Sequence, residues 1–263
     1  MSAWEALSLP YSISYTENQD KKENPVKAAI LLASLLSPLA VAGQCDMNTG
    51  FTQADYKVTT DIVANKQHSE DTFTLWRTPH QVAKQNPQYI ELWQQLRNQQ
   101  IRPIRYFQQA QRGIEYQPSE VQGEQDWNSK YQLVSDKFLA SMTHQKSTGE
   151  GCELTEYYTQ QQGESKVELS WLANQKLLKA IRISTPTYSR EIALTTSHHN
   201  QQKVQAEFAK WDNYQTTDYA DIGDNESDPF LAKMINQGFV EHGASGFYDA
   251  QGNQLKGEHG HHH

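Results

Sequence analysis

The sequence has only two cysteines, Cys45 and Cys152, and no C-x-x-C pair. That excludes a cysteine-built zinc site and a dithiol redox motif. It has no run of basic residues beyond Lys21-Lys22, and its 23 Lys and Arg against 31 Asp and Glu give a net charge of −8. The clustered cations that displace counterions from nucleic acid are missing, so nucleic acid is excluded as a partner. Hydrophobic residues make up 37% of the chain, a thin supply for 263 residues. Catalytic fingerprints are missing too. There is no G-x-S-x-G, H-E-x-x-H, G-x-x-x-x-G-K-[ST] or dinucleotide-binding glycine pattern. Ser245, in His242-Gly243-Ala244-Ser245-Gly246, lacks the strand–turn–helix setting of a nucleophile. A non-enzymatic protein is expected.

One long apolar run is present. Residues 26–43 read VKAAILLASLLSPLAVAG, preceded by Lys21 and Lys22. The part from Ala28 to Ala42 is shorter than the ~20 residues a membrane span requires and matches the apolar region of a secretory signal. Ala40-Val41-Ala42 is the small-x-small pattern of a cleavage site. Cleavage after Ala42 is expected, giving a periplasmic or secreted mature chain without a transmembrane span. An uncleaved anchor and a buried core helix are the alternatives, because Glu5, Glu17, Asp20 and Glu23 dilute the leader's positive charge. Gln44, rather than a small residue, precedes Cys45, which argues against lipid attachment. Two cysteines in an exported chain most often pair; two free thiols are the alternative. The domain reading is an extension with signal over 1–42, one domain over 43–238 and a His-rich tail over 239–263.

Residues 55–64 and 72–77 (TFTLWR) read as strands, with 80–85 returning after Thr78-Pro79. Tyr89, Leu92, Trp93 and Leu96 fall at i, i+3, i+4 and i+7, the spacing of a helix face. Residues 101–116 look like two strands, with Pro103 near an edge. Trp127, Tyr131, Val134, Phe138 and Met142 predict one amphipathic helix capped by Asp126. Residues 152–160, the alternating Val167-Leu169-Trp171, Ile181-Ile183 and 190–196 predict a four-stranded antiparallel meander. Val204, Phe208 and Trp211 make another helical stripe, and Asp228-Pro229 is a cap followed by Pro at the first helical position. The fold class expected is α+β: an antiparallel, strongly curved, half-barrel-like sheet of seven to nine strands, with helices packed on one face.

TFTLWRTPHQVAK and the hairpin KVELSWLANQKLLKAIRIS, behind a signal-like segment, resemble the bacterial lipoprotein-carrier (LolA/LolB-type) superfamily in element order over about residues 55–196. The resemblance implies a half-barrel enclosing a cavity for acyl chains of lipid or lipoprotein. It carries over no functional residue. In the carrier reading, Phe73, Trp76, Trp93 and Trp171 line the cavity; their simpler role is core.

Two further constellations could hold metal. His259, His261, His262 and His263 are imidazoles suited to Zn, Cu or Ni, either native or an appended tag. Asp224, Glu226 and Asp228 begin like a calcium loop, but Pro229 and Ile235 occupy the positions that need Gly and Glu. Asp224 and Glu226 are kept as candidate ligands, alone or with the tail. His198-His199 follows a strand and could share an ion only in a loop. Three functions stand at this point: a carrier of an apolar ligand, a transition-metal accessory protein, and an envelope interaction protein without a small ligand.

Overall fold

Buried and less buried side chains alternate from Thr52 onward, and this period of two sets up the first strand. The computed structural model describes residues 45, 47–63, 65–120, 126–224 and 227–232. Among these, twelve strands form one sheet: β1 Thr52–Ile62, β2 Gln67–Thr78, β3 Gln81–Gln85, β4 Ile90–Gln95, β5 Ile101–Phe107, β6 Arg112–Glu115, β7 Thr143–Thr148, β8 Thr155–Gln162, β9 Ser165–Leu172, β10 Leu177–Ser184, β11 Tyr188–His198 and β12 Gln215–Asp218. Their order is β12-β6-β5-β4-β3-β2-β1-β11-β10-β9-β8-β7. Every pairing is antiparallel except β12 with β6. The sheet is curved and open, the half-barrel-like α+β arrangement expected, with twelve strands instead of the seven to nine expected.

Turn chemistry supports the meanders. Gly163, at φ +58°, supplies the first position of the two-residue turn between β8 and β9. The Thr78 hydroxyl accepts from the Gln81 amide at 3.0 Å and closes the turn into β3. The described residues are covered by α1 Trp127–Tyr131, α2 Asp136–Ser141 and α3 Gln201–Asp212, with a further helical turn over 229–232. Asp126 caps α1, accepting from the Asn128 and Ser129 amides, and Ser135 caps α2, accepting from Phe138. Asn200 caps α3, accepting from the Lys203 amide at 2.9 Å.

The two faces of the sheet are told apart by register. The rows Val58–Ile192–Ile181–Leu169 and Ala54–Leu75–Lys84–Glu91–Arg105 lie on the face we call inner. Leu133, Val134, Phe138 and Met142, from the α1–α2 segment, pack into the same core as that face. Trp76, Ala83, Leu92 and Ile104 form a row on the outer face, where α3 seats Val204, Phe208 and Trp211, so the helices lie on both faces of the sheet and not on one as expected. Trp211 meets Trp76 edge-on, with ring centroids 6.1 Å apart. A smaller cluster of Ile114, Tyr116, Ile222 and Leu231 covers the β6 end.

The helix expected over 89–96 is instead β4. Ile90 and Leu92 join the outer cluster while Trp93 joins the inner one. A strand covered on both faces loses its visible alternation, and its apolar residues fell by chance at helical spacing. The single helix expected over 127–142 is two. Leu133, at φ +68°, breaks it in a conformation costly for a β-carbon-bearing residue. Pro103 is on an internal strand, opposite Trp93. The chain spends residues 151–153 on a 3-10 turn before β8 begins at Thr155. β7, exposed along its whole length, and β12 had no apolar signal to predict them.

Cys45 and Cys152 form a disulfide across a sequence separation of 107 residues. A loop of that length is worth up to about 4–5 kcal/mol in the chain-entropy model and commonly ~2–4 in practice. Replacing both cysteines by serine should therefore lower unfolding stability by about 2–4 kcal/mol, read as an earlier urea midpoint at unchanged slope. An unaltered midpoint would show that the bridge constrains nothing.

Candidate functional site

The inner face begins as an apolar floor. Eight neighbouring strands, from β5 through β4, β3, β2, β1, β11 and β10 to β9, contribute buried hydrophobic side chains to one cluster. Phe73, Trp93 and Trp171 belong to it and are 6%, 4% and 5% exposed. Tyr56 stacks on Phe73 at 5.0 Å between centroids. Its hydroxyl donates to the Leu178 carbonyl at 2.8 Å, and burial pushes its pKa up. Trp76 is not on this floor. It points to the outer face, where its indole N–H donates to Gln85 at 2.8 Å. The structure thus brings three of the four predicted aromatics together and sends the fourth to the opposite side, because residues 73 and 76 differ in strand parity.

At one end of the floor lies a polar hub centred on Arg77, which is 0% exposed. Its guanidinium donates to the carbonyls of Lys176 (2.7 Å), Gln175 (3.1 Å), Tyr131 (3.5 Å) and Thr49 (3.5 Å), and to the Thr52 hydroxyl (3.3 Å). It also lies 4.8 Å from the Tyr131 ring centroid. Burial lowers its pKa, while Tyr131 and Tyr56 act in the opposite sense. His199 joins the hub through Thr52 Oγ1 and Gln175 Oε1, both at 3.0 Å. The Gln175 amide nitrogen is committed to the Cys152 carbonyl at 2.8 Å, so its oxygen faces His199. Through Nε2, His199 is thus held against the Gln175 oxygen. His199 is half-buried beside this hub, and its neighbour His198 ends β11 on the exposed side.

Along the same face, beside the floor, the charge density rises. Lys84, Glu91 and Arg105 are register neighbours on β3, β4 and β5, and Arg105 donates to Glu91. Lys84 Nζ sits 4.7 Å from the Phe73 ring centroid, and Lys130 Nζ of α1 lies 5.3 Å from that of Trp93. Arg105 stacks on Tyr89 at 4.7 Å. Burial pulls the Lys84 pKa down to about 8; Glu91 opposes this, and Arg190 and Lys130 add to it. None of these charged residues stands out in the sequence. The available signal was alternation: Arg77 follows Phe73 and Leu75, and Lys84 follows Val82, each at a spacing of two on an otherwise apolar face.

Asp228 caps the helical turn as expected, accepting from the Phe230 and Leu231 amides, and it pairs with Arg112 at 3.0 Å. Asp224 ends a 3-10 turn. The Asp224 side chain, Glu226 and the tail histidines His259, His261, His262 and His263 lie outside the described residues, as does the apolar run at 26–43. Among the described residues, no group of three or more His, Cys, Asp or Glu is placed to hold a metal ion.

No family model matches the chain, and no curated protein matches it in sequence. Solved structures similar to it include PNGF-II, at 7% identity and a TM-score of 0.32, covering 66% of this chain and 32% of that one. The chain thus spans about a third of that protein's length. They also include an outer membrane lipoprotein-sorting protein domain from Vibrio parahaemolyticus, at 8% identity and TM-score 0.29, covering 62% of this chain and 92% of that one. A LolA superfamily protein from Nitrosomonas europaea aligns at 8% identity and TM-score 0.21, covering 58% of this chain and 87% of that one. No residue role is carried over from any of them.

Two predictions follow from the hub's geometry. Arg77→Lys keeps the charge but replaces five fork-shaped donors with three on one nitrogen, leaving buried carbonyls unmatched; it should cost ~2–4 kcal/mol in urea unfolding. A loss below about 0.5 kcal/mol would mean the carbonyl contacts contribute nothing. The His199 pKa is lowered from its ordinary 6.5, first by burial and then by Arg77 and His198. The unfolded chain therefore takes up this proton first as pH falls. The stability contributed by neutral His199 is complete above pH 6.5 and is lost as pH drops through the lower folded value. The stability gap between the wild type and His199→Gln should shrink from pH 7.5 to pH 5 in matched urea titrations. A constant gap would contradict the assignment.

Proposed function

We propose that the protein is an exported, non-enzymatic envelope protein that binds or carries an apolar, lipid-like ligand on the inner face of its sheet. One observation carries this reading: among the described residues, a broad buried apolar floor is met by only two short helices. Eight strands at ~4.8 Å spacing make a floor roughly 34 Å wide. The helices laid on it have five and six residues, about 7.5 and 9 Å long. Helices that short do not hold themselves in water, so the cover depends on contact with the floor. An acyl chain offers the floor the same contact, at about 0.8 kcal/mol per methylene removed from water. Phe73, Trp93 and Trp171 are the floor residues such a chain would meet.

Export is supported by the signal-like run ending at Ala42 and by the Cys45–Cys152 bridge, which belongs to an oxidising compartment. The acyl group would come from lipid or lipoprotein. A metal bound through the C-terminal tail, and an interaction role with no small ligand, are separated from this reading by the same measurement. Protein recovered from the periplasm of its own cells should carry, in a native mass spectrum, an extra mass of several hundred daltons that is lost on denaturation. An excess of some tens of daltons removed by chelator would overturn the lipid reading in favour of metal. No excess, together with no displacement of an apolar fluorophore by added lipid, would overturn it in favour of an interaction protein.

A further inference from the structure

We propose that the Cys45–Cys152 disulfide is a redox latch on the inner face: exchange with a dithiol loosens the Arg77 hub and releases the two short helices, α1 and α2, that cover the floor. This goes beyond the carrier reading and stands whether or not the floor takes a lipid.

The bridge and the hub tie the same segments together. Cys45 lies four residues before Thr49, whose carbonyl accepts from the Arg77 guanidinium at 3.5 Å. The same carbonyl accepts from the Thr52 hydroxyl at 2.8 Å. Cys152 sits in the 3-10 turn Gly151–Glu153, which is locked to the turn between β9 and β10. Asn174 Nδ2 donates to the Gly151 carbonyl and Gln175 Nε2 to the Cys152 carbonyl, both at 2.8 Å. The Ala173 amide donates to the Leu154 carbonyl at 3.0 Å. The backbone carbonyls of Gln175 and Lys176, on that second turn, are the two shortest contacts of Arg77, at 3.1 and 2.7 Å. The guanidinium therefore joins the chain on both sides of the disulfide.

Its third attachment is the cover. Tyr131 is the last residue of α1, and its carbonyl is among those a helix leaves without an internal partner. Arg77 takes it at 3.5 Å and lies 4.8 Å from the Tyr131 ring centroid. A five-residue helix does not persist by itself, so its hold on the hub matters. Asn128 and Gln132 both donate to Asp136, which binds α1 to α2.

The step is thiol–disulfide exchange. A thiolate of the dithiol attacks one sulfur as the Cys45–Cys152 bond breaks, giving a mixed disulfide. The second thiol of the donor then displaces the protein. The protein gains two electrons and two protons as two thiols, and the donor leaves as a disulfide. Both cysteines are partly exposed, which gives the thiolate an approach. Once the bridge is cut, hydrogen bonds alone hold the turn before β1. Water entering there raises the local dielectric around a buried guanidinium, and its carbonyl contacts weaken together. Val204, Phe208 and Trp211 of α3 pack in a separate cluster, off this route.

The test is native-state hydrogen exchange on the full chain at pH 7, oxidised and after reduction by dithiothreitol, at several urea concentrations below the unfolding transition. Losing the cross-link also favours global unfolding, and that route is marked by a steep rise with urea. Amides of residues 128–141 are expected to exchange about tenfold faster or more in the reduced chain, the worth of one hydrogen bond to a charged group, with little dependence on urea. Amides of residues 204–212 should follow the steep route only. In Arg77→Lys the cover is already released, so reduction should speed residues 128–141 by less than about threefold. No acceleration at 128–141, or one as steep in urea as that of α3, would overturn the inference. So would a full tenfold response in Arg77→Lys, or loss of the near-ultraviolet circular dichroism of the reduced wild type. If Arg77→Lys does not fold, the wild-type comparison decides alone. None of these readouts involves a lipid, so the carrier reading stands or falls separately on the native mass spectrum.

Discussion

A fully buried guanidinium without a carboxylate partner is the constraint on which this structure turns. Arg77 spreads its charge over four backbone carbonyls and one hydroxyl. The turn before β1, the end of α1 and the turn between β9 and β10 contribute the carbonyls, and β1 contributes the Thr52 hydroxyl. One side chain thus fixes where four segments meet. Burial first and then the Arg77 charge lower the pKa of its neighbour His199, and Gln175 links the hub to the Cys152 carbonyl.

The two faces of the sheet contribute differently. On the outer face, α3 is twelve residues long, capped at its start, and seats three fully buried side chains. Those three alone bury enough apolar area for about 2 kcal/mol each. The inner face carries a wider apolar surface under a cover of two short helices. The longest helix thus packs on the outer face, while the inner core is met by shorter ones.

Most of the sheet could be read from residues alone because alternation is visible where one side of a strand is more exposed than the other. Val167, Leu169 and Trp171 against Lys166, Glu168 and Ser170 are the clearest case. β4 was misread because Ile90, Leu92 and Trp93 are buried on both sides. The break at Leu133 was hidden because a positive φ at leucine is set by tertiary packing and leaves no mark in composition. The aromatic part of the site was legible as bulk, but only parity separates Trp76 from Phe73. The charged part was not legible. Arg77 and Lys84 look like ordinary surface residues until the sheet places them among apolar neighbours.

The pairing of β1 with β11 has a consequence for how the chain reaches this state. β1 to β6 and β7 to β11 are each runs of strands paired with their sequence neighbours, and such local ladders form early. They are joined by a ladder in which Gln53 meets His198. β12, which follows α3 in the chain, returns to pair with β6. The first run therefore has its β1 border unpaired until β11, at residues 188–198 of 263, is available, and its β6 border until β12 is. Synthesised from its N-terminus, the chain holds those borders open while the later strands are still missing, so the sheet closes late and over a short stretch of sequence.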